Sequence, residues 1–380
     1  MRERSGAVLA DEPHAPVHAG GAPSNRRVLR IAVLNYNLPR TGFKRGGVDR
    51  VAHDLAQGLA RRGHGVTVYA HDPAPEGAAY QGRALPWRAF TATWIGRRLT
   101  MGYLGNLLMV LAPVGKADVV LAHGDSLLLP LRGRPVLRVM HGTGLEEARF
   151  ATSIGRRVLQ FGVYGLELLT ALSQPCVGVS ANTRRVNPAV RHVIPNGVDR
   201  DRFHPDAGAR ASRPAVLFVG ALGGRKRGAW LLGEFARRVR PRFPDAELHM
   251  VCERGADEPN VIYHTGLSDP ELAALYRRAW VFASPSTYEG FGLPYLEAMA
   301  SGTPVIATPN VGSVEVLDGG RFGCLADDET FAQCICELLG DGGRREALAD
   351  AGLRRAGELS LDRTVDAYEA VLLSLATARR

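Results

Sequence analysis

The sequence has few cysteines, and they are not arranged to bind metal or to staple a secreted fold. Its 380 residues contain five, an odd number at scattered positions. They are Cys176, Cys252, Cys324, Cys334 and Cys336. No CxxC pair is present, and the one-residue gap between the last two cysteines is too short for a usual zinc knuckle. We therefore expect buried, reduced thiols in a cytoplasmic protein.

Long apolar runs are also missing. A membrane-spanning helix needs roughly 18–20 apolar residues, and the nearest approach, residues 99–114, is interrupted by Gly102, Asn106 and Pro113. Residues 1–27 contain no continuous apolar core, so they do not form a secretory signal. Their Gly, Ala, Pro and His content predicts a disordered N-terminal tail.

Two common nucleotide motifs are absent as well, and the sequence has only one candidate metal motif. No GxGxxG lies between the first strand and its helix, which disfavours a dinucleotide site, and there is no Walker A pattern. The only D-x-D, Asp199-Arg-Asp201, falls in a predicted linker, where a helix cap or chance explains it. We expect no metal site.

Charge is unevenly distributed along the chain. The net charge is +9, but residues 1–195 carry +13 and residues 196–380 carry −4. A basic front half suits nucleic acid, an anionic membrane or phosphorylated ligands. The arginines come as scattered pairs without neighbouring aromatic residues, so nucleic acid is disfavoured. Two explanations of the positive charge stay open: peripheral contact with the inner membrane face, and a composition that is generally rich in arginine.

The length and the order of elements predict two α/β domains. A chain of 380 residues fits two domains of about 150 residues. A strand at 28–34, a glycine pair, a helix at 48–62 and a strand at 66–70 form a first βαβ unit. A second alternating set begins at 215–219. We predict two doubly wound Rossmann-like domains that face each other across a cleft.

The predicted boundaries follow composition. The sequence divides into a tail (1–27), a first domain (28–199), a linker (200–213), a second domain (214–358) and a C-terminal helix (359–380) that returns to the first domain.

Strand ends and glycine loops hold the candidate site residues. His123, Asp125 and His141 follow predicted parallel strands, whose carboxyl ends line the crevice of such sheets. A histidine there is more often structural, so both interpretations stay open. Gly220–Gly228 carries Arg225, Lys226 and Arg227 ahead of a helix, which suits a pyrophosphate or, equally, a solvated basic turn.

The stretch 284–307 gives the sharpest signal. It is typical of a strand, a glycine loop, a helix and a second strand. Glu289 and Glu297 bracket the loop with seven residues between them. The glycines leave backbone N–H groups bare at a helix N-terminus, which suits a phosphate. The two carboxylates are then placed to hold different parts of one ligand.

These residues resemble the GT-B fold nucleotide-sugar glycosyltransferases, and specifically the retaining glycosyltransferase family four. The resemblance covers about residues 28–375, and its most specific part is the E-x7-E element from Glu289 to Glu297. Supporting pieces are Gly46-Gly47 ahead of the first helix, residues 194–199 with Phe203, and residues 218–220 with Lys226.

The resemblance implies a role for each matching side chain. Glu297 would accept hydrogen bonds from the ribose hydroxyls, and Glu289 would lie against the hydroxyls of the transferred sugar. Lys226 would neutralise the departing diphosphate, which is electrostatic stabilisation of the transition state. His141 corresponds to the histidine that touches the transferred sugar. Glu289, His141 and Lys226 are thus the expected catalytic residues.

Backbone groups would bind the diphosphate. By the same resemblance, Gly46 and Gly47 let the start of the first helix approach the phosphates. The N–H groups that would contact the diphosphate lie at Gly290, Phe291, Gly292 and Leu293.

The sequence departs from the family pattern at three places. Ala221 stands where the family usually has an arginine, so Arg225 or Arg227 would have to supply the second cation. His141 is followed by Gly-Thr-Gly rather than by an acidic neighbour. The later glycine pair is replaced by Gly312-Ser313 before Glu315, a mild change.

The chemistry implied by the resemblance is sugar transfer from a nucleoside diphosphate sugar, UDP- or GDP-linked, with retention at the anomeric carbon and no required cofactor. The hydroxyl acceptor is open among lipid-linked, polysaccharide and small-metabolite classes. The loops Gly42–Arg45 and Gly82–Arg98 are expected to select it. Two alternatives remain: a nucleotide-sugar 2-epimerase, and a non-catalytic sugar-nucleotide-binding protein.

Overall fold

The computed structural model describes residues 27–39, 46–85, 109–124, 126–151 and 153–378. Several expectations fall outside these ranges. They are the N-terminal tail except for its last residue, the loop Gly42–Arg45, Asp125 and the greater part of the loop Gly82–Arg98.

The first half of the chain forms a sheet of seven parallel strands. Their order is β3-β2-β1-β4-β5-β6-β7, and every described pairing is parallel. The central strands are apolar on both faces because helices cover both sides of the sheet. The strands are β1 (Arg30–Leu34), β2 (Gly65–Ala70), β3 (Gln81–Ala84), β4 (Val119–Ala122), β5 (Val136–Met140), β6 (Cys176–Gly178) and β7 (His192–Val193).

Four described α-helices accompany this sheet. They are α1 (Gly47–Arg61), α2 (Gly144–Arg149), α3 (Ile154–Ser173) and α4 (Ala181–Val186). In α1 the predicted apolar face, Val51, Leu55 and Leu59, is buried. The helix starts one residue before its predicted first residue, at the second glycine of the Gly46-Gly47 pair.

The second half forms a sheet of six parallel strands in the order β10-β9-β8-β11-β12-β13. The strands are β8 (Ala215–Val219), β9 (Glu247–Val251), β10 (Val261–His264), β11 (Val281–Ser284), β12 (Val305–Ala307) and β13 (Cys324–Leu325). The helices are α5 (Gly228–Glu234), which continues as a π-helical turn, α6 (Asp269–Arg278), α7 (Leu293–Ala300), α8 (Val311–Val316), α9 (Phe331–Gly340), α10 (Gly342–Glu358) and α11 (Leu361–Thr377).

The C-terminal helix α11 packs against the first half of the chain. A Cβ at Gly58 of α1 would lie 2.6 Å from the Val365 side chain, so the two helices touch at a glycine. Arg62 adds an ion pair to the buried Glu369 at 2.9 Å. Strand β8 begins just beyond the linker predicted at 200–213. The domain boundaries themselves stay a prediction.

Both sheets reverse strand order in the middle, and the candidate residues follow those central strands. The reversal lies between β1 and β4 in the first sheet and between β8 and β11 in the second. Loops after such strands form the ligand crevice of doubly wound sheets. The loop after β11 touches the end of β5, so the carboxyl edges of the two sheets face each other. The predicted fold class, two doubly wound parallel sheets, is confirmed.

Candidate active site

The loop from β11 to α7 lies directly against the first half of the chain. A Cβ at Gly290 would lie 2.6 Å from the carbonyl oxygen of His141, at the end of β5. The Tyr288 ring, in the same loop, stacks on Phe150 with ring centroids 5.1 Å apart. Only glycine fits at position 290, because any side chain would push the two halves apart.

The start of α7 carries the predicted phosphate-binding backbone. Gly292 caps the helix with φ of 106°, a left-handed conformation that favours glycine. Pro294 in the first turn has no N–H, and the N–H of Tyr295 donates to the Gly292 carbonyl at 3.0 Å. Donors for a phosphate would therefore have to come from residues 290–293, which include Phe291 and Leu293.

Lys226 and Glu289 form an ion pair at the centre of the site. Lys226 ends a short helical turn after β8, and its ammonium contacts Glu289 Oε1. Glu289 is 7% exposed. The N–H of Thr287 donates to the Arg225 carbonyl at 2.9 Å, which ties the two loops together. The structure thus brings together the cation and the carboxylate that the sequence singled out.

Glu297 lies on α7 in a different environment. The Tyr276 hydroxyl donates to its Oε2 at 2.9 Å. Burial raises the pKa of Glu297, and the Arg50 guanidinium opposes that shift. Arg50, on α1, also holds Asp269 on α6 through two hydrogen bonds of 2.7 and 2.9 Å. Glu297 therefore lies near a cation, Arg50, from the first half of the chain.

The start of α1 lies at the glycine pair Gly46-Gly47, and Gly46 caps the helix without a side-chain hydrogen bond. Among the described residues, nothing lies within 4 Å of a Cβ built at Gly47. Asp49 in the first turn accepts a hydrogen bond from the Gly46 backbone, so an acid already lies at this helix start. Helix starts favour anions, and phosphate binding at Gly46 and Gly47 stays a prediction.

His141 pairs with His123 across neighbouring strand ends. His123 Nδ1 and His141 Nε2 are 2.9 Å apart, and the rings stack. Among the described residues, His123 Nε2 and His141 Nδ1 have no hydrogen-bond partner. Burial lowers the pKa of His141 to about 4, with a smaller effect from Arg138, and holds that of His123 well below its ordinary value. Both imidazoles are neutral at pH 7, so each bears one N–H.

The two arginines beside Lys226 point to different partners. Arg225 bonds Glu147 of α2 at 3.0 Å, and its guanidinium lies 5.5 Å from the centre of the Tyr288 ring. Arg227 bonds Asp328 through two hydrogen bonds, of 2.6 and 2.8 Å, within the second half. Arg225 therefore lies on the side that meets the first half, and Arg227 does not.

Several residues of the site escaped the sequence analysis. Tyr276, Arg50 and Asp269 surround Glu297, and Tyr288 lies beside Glu289. Arg50 lies at an inward position of the amphipathic helix α1, and that position was the one available signal for it. The structure also finds no cluster of three or more potential metal ligands among its described residues. Asp199 instead accepts the N–H groups of Asp201 and Arg202, at 3.0 and 3.2 Å.

Comparisons with known proteins identify the family and the fold. Residues 45–202 match the family model described as Glycosyltransferase Family 4, and residues 213–341 match the one described as Glycosyl transferases group 1. The "MMP alpha-(1->4)-mannosyltransferase" of Mycolicibacterium hassiacum is 29% identical over 414 aligned residues, covering 92% of this chain and 99% of that protein.

A second relative matches over about half of its own length. It is the "GDP-mannose-dependent alpha-(1-6)-phosphatidylinositol monomannoside mannosyltransferase" of Mycolicibacterium smegmatis, 33% identical over 49% of this chain and 56% of that protein. Among solved structures, sucrose-phosphate synthase from Thermosynechococcus elongatus has a TM-score of 0.75 and 23% identity, covering 92% of this chain and 100% of that one. Anabaena HepE in complex with UDP and glucose has a TM-score of 0.69 and 17% identity, covering 91% and 99%.

The histidine pair predicts how stability depends on pH. The folded-state pKa of His141 is depressed, so between its ordinary value and about pH 4 the unfolded chain binds more protons than the folded one. Stability is therefore lost as the pH falls through that window. The substitution His141→Asn removes the contribution of this imidazole to the pH dependence. We expect the free energy of unfolding to fall by about 1–2 kcal/mol less between pH 7.5 and pH 5 in this variant than in the wild type.

Denaturant unfolding at the two pH values measures this change. The exposed His192→Asn is the matched control and should leave the loss unaltered. An equal loss in the wild type and in His141→Asn would contradict the buried, neutral state of His141.

Proposed function

The chain belongs to glycosyltransferase family four and is a glycosyltransferase of the GT-B fold, and from this membership we propose that it transfers a hexose from a nucleoside diphosphate sugar to a hydroxyl acceptor with retention at the anomeric carbon. The observation that carries the proposal is the Lys226–Glu289 pair. It puts a cation suited to the diphosphate next to a carboxylate suited to the sugar.

The donor would lie between the two sheets. Its diphosphate would lie at Gly290–Leu293, in reach of Lys226 and facing the start of α1 at Gly46 and Gly47. Glu297 would accept from the ribose hydroxyls while it keeps the hydrogen bond from Tyr276. Because the contact of Gly290 with His141 joins the two halves here, donor binding involves both of them.

The reaction needs stabilisation of a leaving anion above all. Cleavage of the bond from the anomeric carbon to the phosphate oxygen leaves an oxocarbenium-like sugar and a diphosphate whose negative charge grows. Lys226 and a second cation would stabilise that charge. Glu289 and a neutral His141 N–H would position the sugar hydroxyls. In the front-face route that the family resemblance favours, the acceptor hydroxyl attacks the anomeric carbon from the side that the diphosphate leaves. The departing phosphate accepts the proton of that hydroxyl. Because attack and departure occur on one face, the configuration is retained.

The donor is proposed as GDP- or UDP-linked. The name of the M. smegmatis relative specifies GDP-mannose, and the HepE structure contains UDP. The acceptor class is not assigned. The segments expected to select it, Gly42–Arg45 and most of Gly82–Arg98, lie outside the described residues.

A donor panel followed by product analysis tests the function. Thermal-shift assays with UDP-, GDP-, ADP- and dTDP-sugars should show stabilisation by one nucleotide class, because ligand binding to the folded state raises its stability. Incubation of that donor with inositol phosphate, alkyl mannosides and phosphatidylinositol should then release nucleoside diphosphate. Proton NMR should find the donor's anomeric configuration in the product.

Three outcomes would contradict the proposal. Inversion of configuration would exclude the retaining route, and conversion of the donor to its epimer without acceptor would indicate a 2-epimerase. Nucleotide binding without donor consumption in the presence of any acceptor would favour the non-catalytic alternative.

The variant Glu289→Gln tests the same site, and it should abolish turnover while nucleotide binding remains.

Arg225 is our candidate for the second cation, because it lies at the junction of the two halves. We expect Arg225→Gln to lower kcat/KM by roughly tenfold to a hundredfold, the scale of a lost charged hydrogen bond to a developing anion. Arg227→Gln is the matched control, since Arg227 is held by Asp328, and it should stay within a few-fold of the wild type. Steady-state rates measure both, and wild-type rates for Arg225→Gln would contradict the assignment.

A further inference from the structure

Helix α3 presents an apolar face to solvent and a polar face to the protein. Of its 20 residues only Glu167 and Thr170 are buried. The exposed side chains include Ile154 at 80%, Val158 at 65%, Phe161 at 51%, Leu169 at 55% and Leu172 at 78%. A surface helix normally has the opposite arrangement.

The inward polar groups of α3 are satisfied. Glu167 accepts the N–H of Gly144 at 2.9 Å, and the Tyr164 hydroxyl donates to the Val186 carbonyl at 2.9 Å. The Thr170 hydroxyl donates within the helix, to the Leu166 carbonyl at 2.7 Å. The bonds of Glu167 and Tyr164 to residues outside α3 fix which face of the helix meets the protein.

The most exposed apolar residues of α3 form one continuous stripe, and the less exposed Leu159 and Leu166 lie outside it. At about 100° per residue, positions 154, 158, 161, 165, 169 and 172 fall within about 80° of arc. The stripe runs about 27 Å along the helix. Position 165 is glycine, and no charged residue lies on the stripe. We call Ile154, Val158, Phe161, Leu169 and Leu172 the apolar stripe.

The exposed charge around the stripe is positive. Arg156 and Arg157 are exposed on the first turn of α3, and α3 has no exposed acid. At about 100° per residue, Arg157 lies beside the stripe and Arg156 lies on the opposite side of the helix. The neighbouring acids are buried or paired: Glu146 is buried, and Glu147 bonds Arg225. Further exposed cations follow on α4 and before β7, at Arg184, Arg185 and Arg191.

This combination decides between the possible partners. No helix in the described part of the chain is long and apolar enough to cross a membrane. A second copy would bring two cationic rims together. The segment 86–108, which lies outside the described residues, contains three arginines and no acid, so it too brings charge of the same sign. An anionic lipid surface offers both acyl chains and opposite charge.

We propose that the apolar stripe docks this protein on an anionic membrane surface. Helix α3 lies in the plane of the interface, with Phe161, Leu169 and Leu172 among the acyl chains and Arg157 at the headgroups. The inference does not rest on the transfer reaction, because binding is measured without donor or acceptor.

Co-sedimentation of the full chain with vesicles tests the inference. Binding should occur to phosphatidylglycerol–phosphatidylcholine vesicles, exceed binding to phosphatidylcholine alone, and weaken as salt rises from about 0.1 to about 1 M. The triple variant Phe161→Ser, Leu169→Ser, Leu172→Ser should bind at least roughly tenfold more weakly. Arg156→Gln with Arg157→Gln should remove most of the preference for anionic vesicles.

Matched controls separate docking from general effects. Leu131→Ser, on another exposed leucine of the first half, and Arg254→Gln, on an exposed arginine of the second half, should bind as the wild type does. Circular dichroism melting curves confirm that each variant is folded.

Each remaining outcome overturns the inference. If the triple variant binds vesicles as the wild type does, the apolar stripe is not the docking surface. If the wild type does not bind vesicles, the membrane is not its partner. Conversion of a dimer to a monomer by the triple variant, with vesicle binding unchanged, would identify a second copy as the partner. Cross-links from a photoreactive side chain at position 169 to residues 86–108, in a monomer without vesicles, would show that the chain covers its own stripe.

Discussion

The rest of the site depends on the close approach of the glycine loop to the first half of the chain. Gly290 lies under the His141 carbonyl, and a Cβ at Gly312 would lie 2.5 Å from the carbonyl oxygen of Phe291 and 2.8 Å from that of Glu289. The backbone at Glu289 is thus confined by the end of β5 on one side and by the start of α8 on the other. Lys226 and Glu289 both belong to the second half, and the contact of Gly290 with His141 places this pair beside the end of β5 in the first half.

Charge compensation links this site to its surroundings. The cations expected to meet the diphosphate already contact carboxylates, Lys226 at Glu289 and Arg225 at Glu147. A bound diphosphate would exchange with these partners, which keeps the cations from being buried unpaired. Glu147 belongs to α2, and a Cβ at Gly144 of that helix would lie 2.6 Å from the Gln160 carbonyl of α3. The helix with the apolar stripe and the loop with the cations are therefore connected through one short helix.

The sequence predicts the parts of this protein better than their assembly. Apolar runs with glycines at helix starts are enough to predict two parallel sheets. The spacing of Glu289 and Glu297 is enough to locate the loop between them. The contacts between halves were not predictable: Arg50 meets Asp269 over 219 residues of chain. Such pairs depend on how the two sheets are placed, which no local pattern records. The face that α3 turns to the protein is likewise not set by a local pattern, because it depends on the buried hydrogen bond between Glu167 and the N–H of Gly144.

Amide hydrogen exchange with and without a bound nucleoside diphosphate tests the central claim, that the donor site is shared by both halves, most directly. With GDP or UDP, whichever binds, the account predicts slower exchange both in residues 290–297 and in the first turn of α1 after Gly46. Protection in residues 290–297 alone, with α1 unchanged at saturating nucleotide, would contradict it.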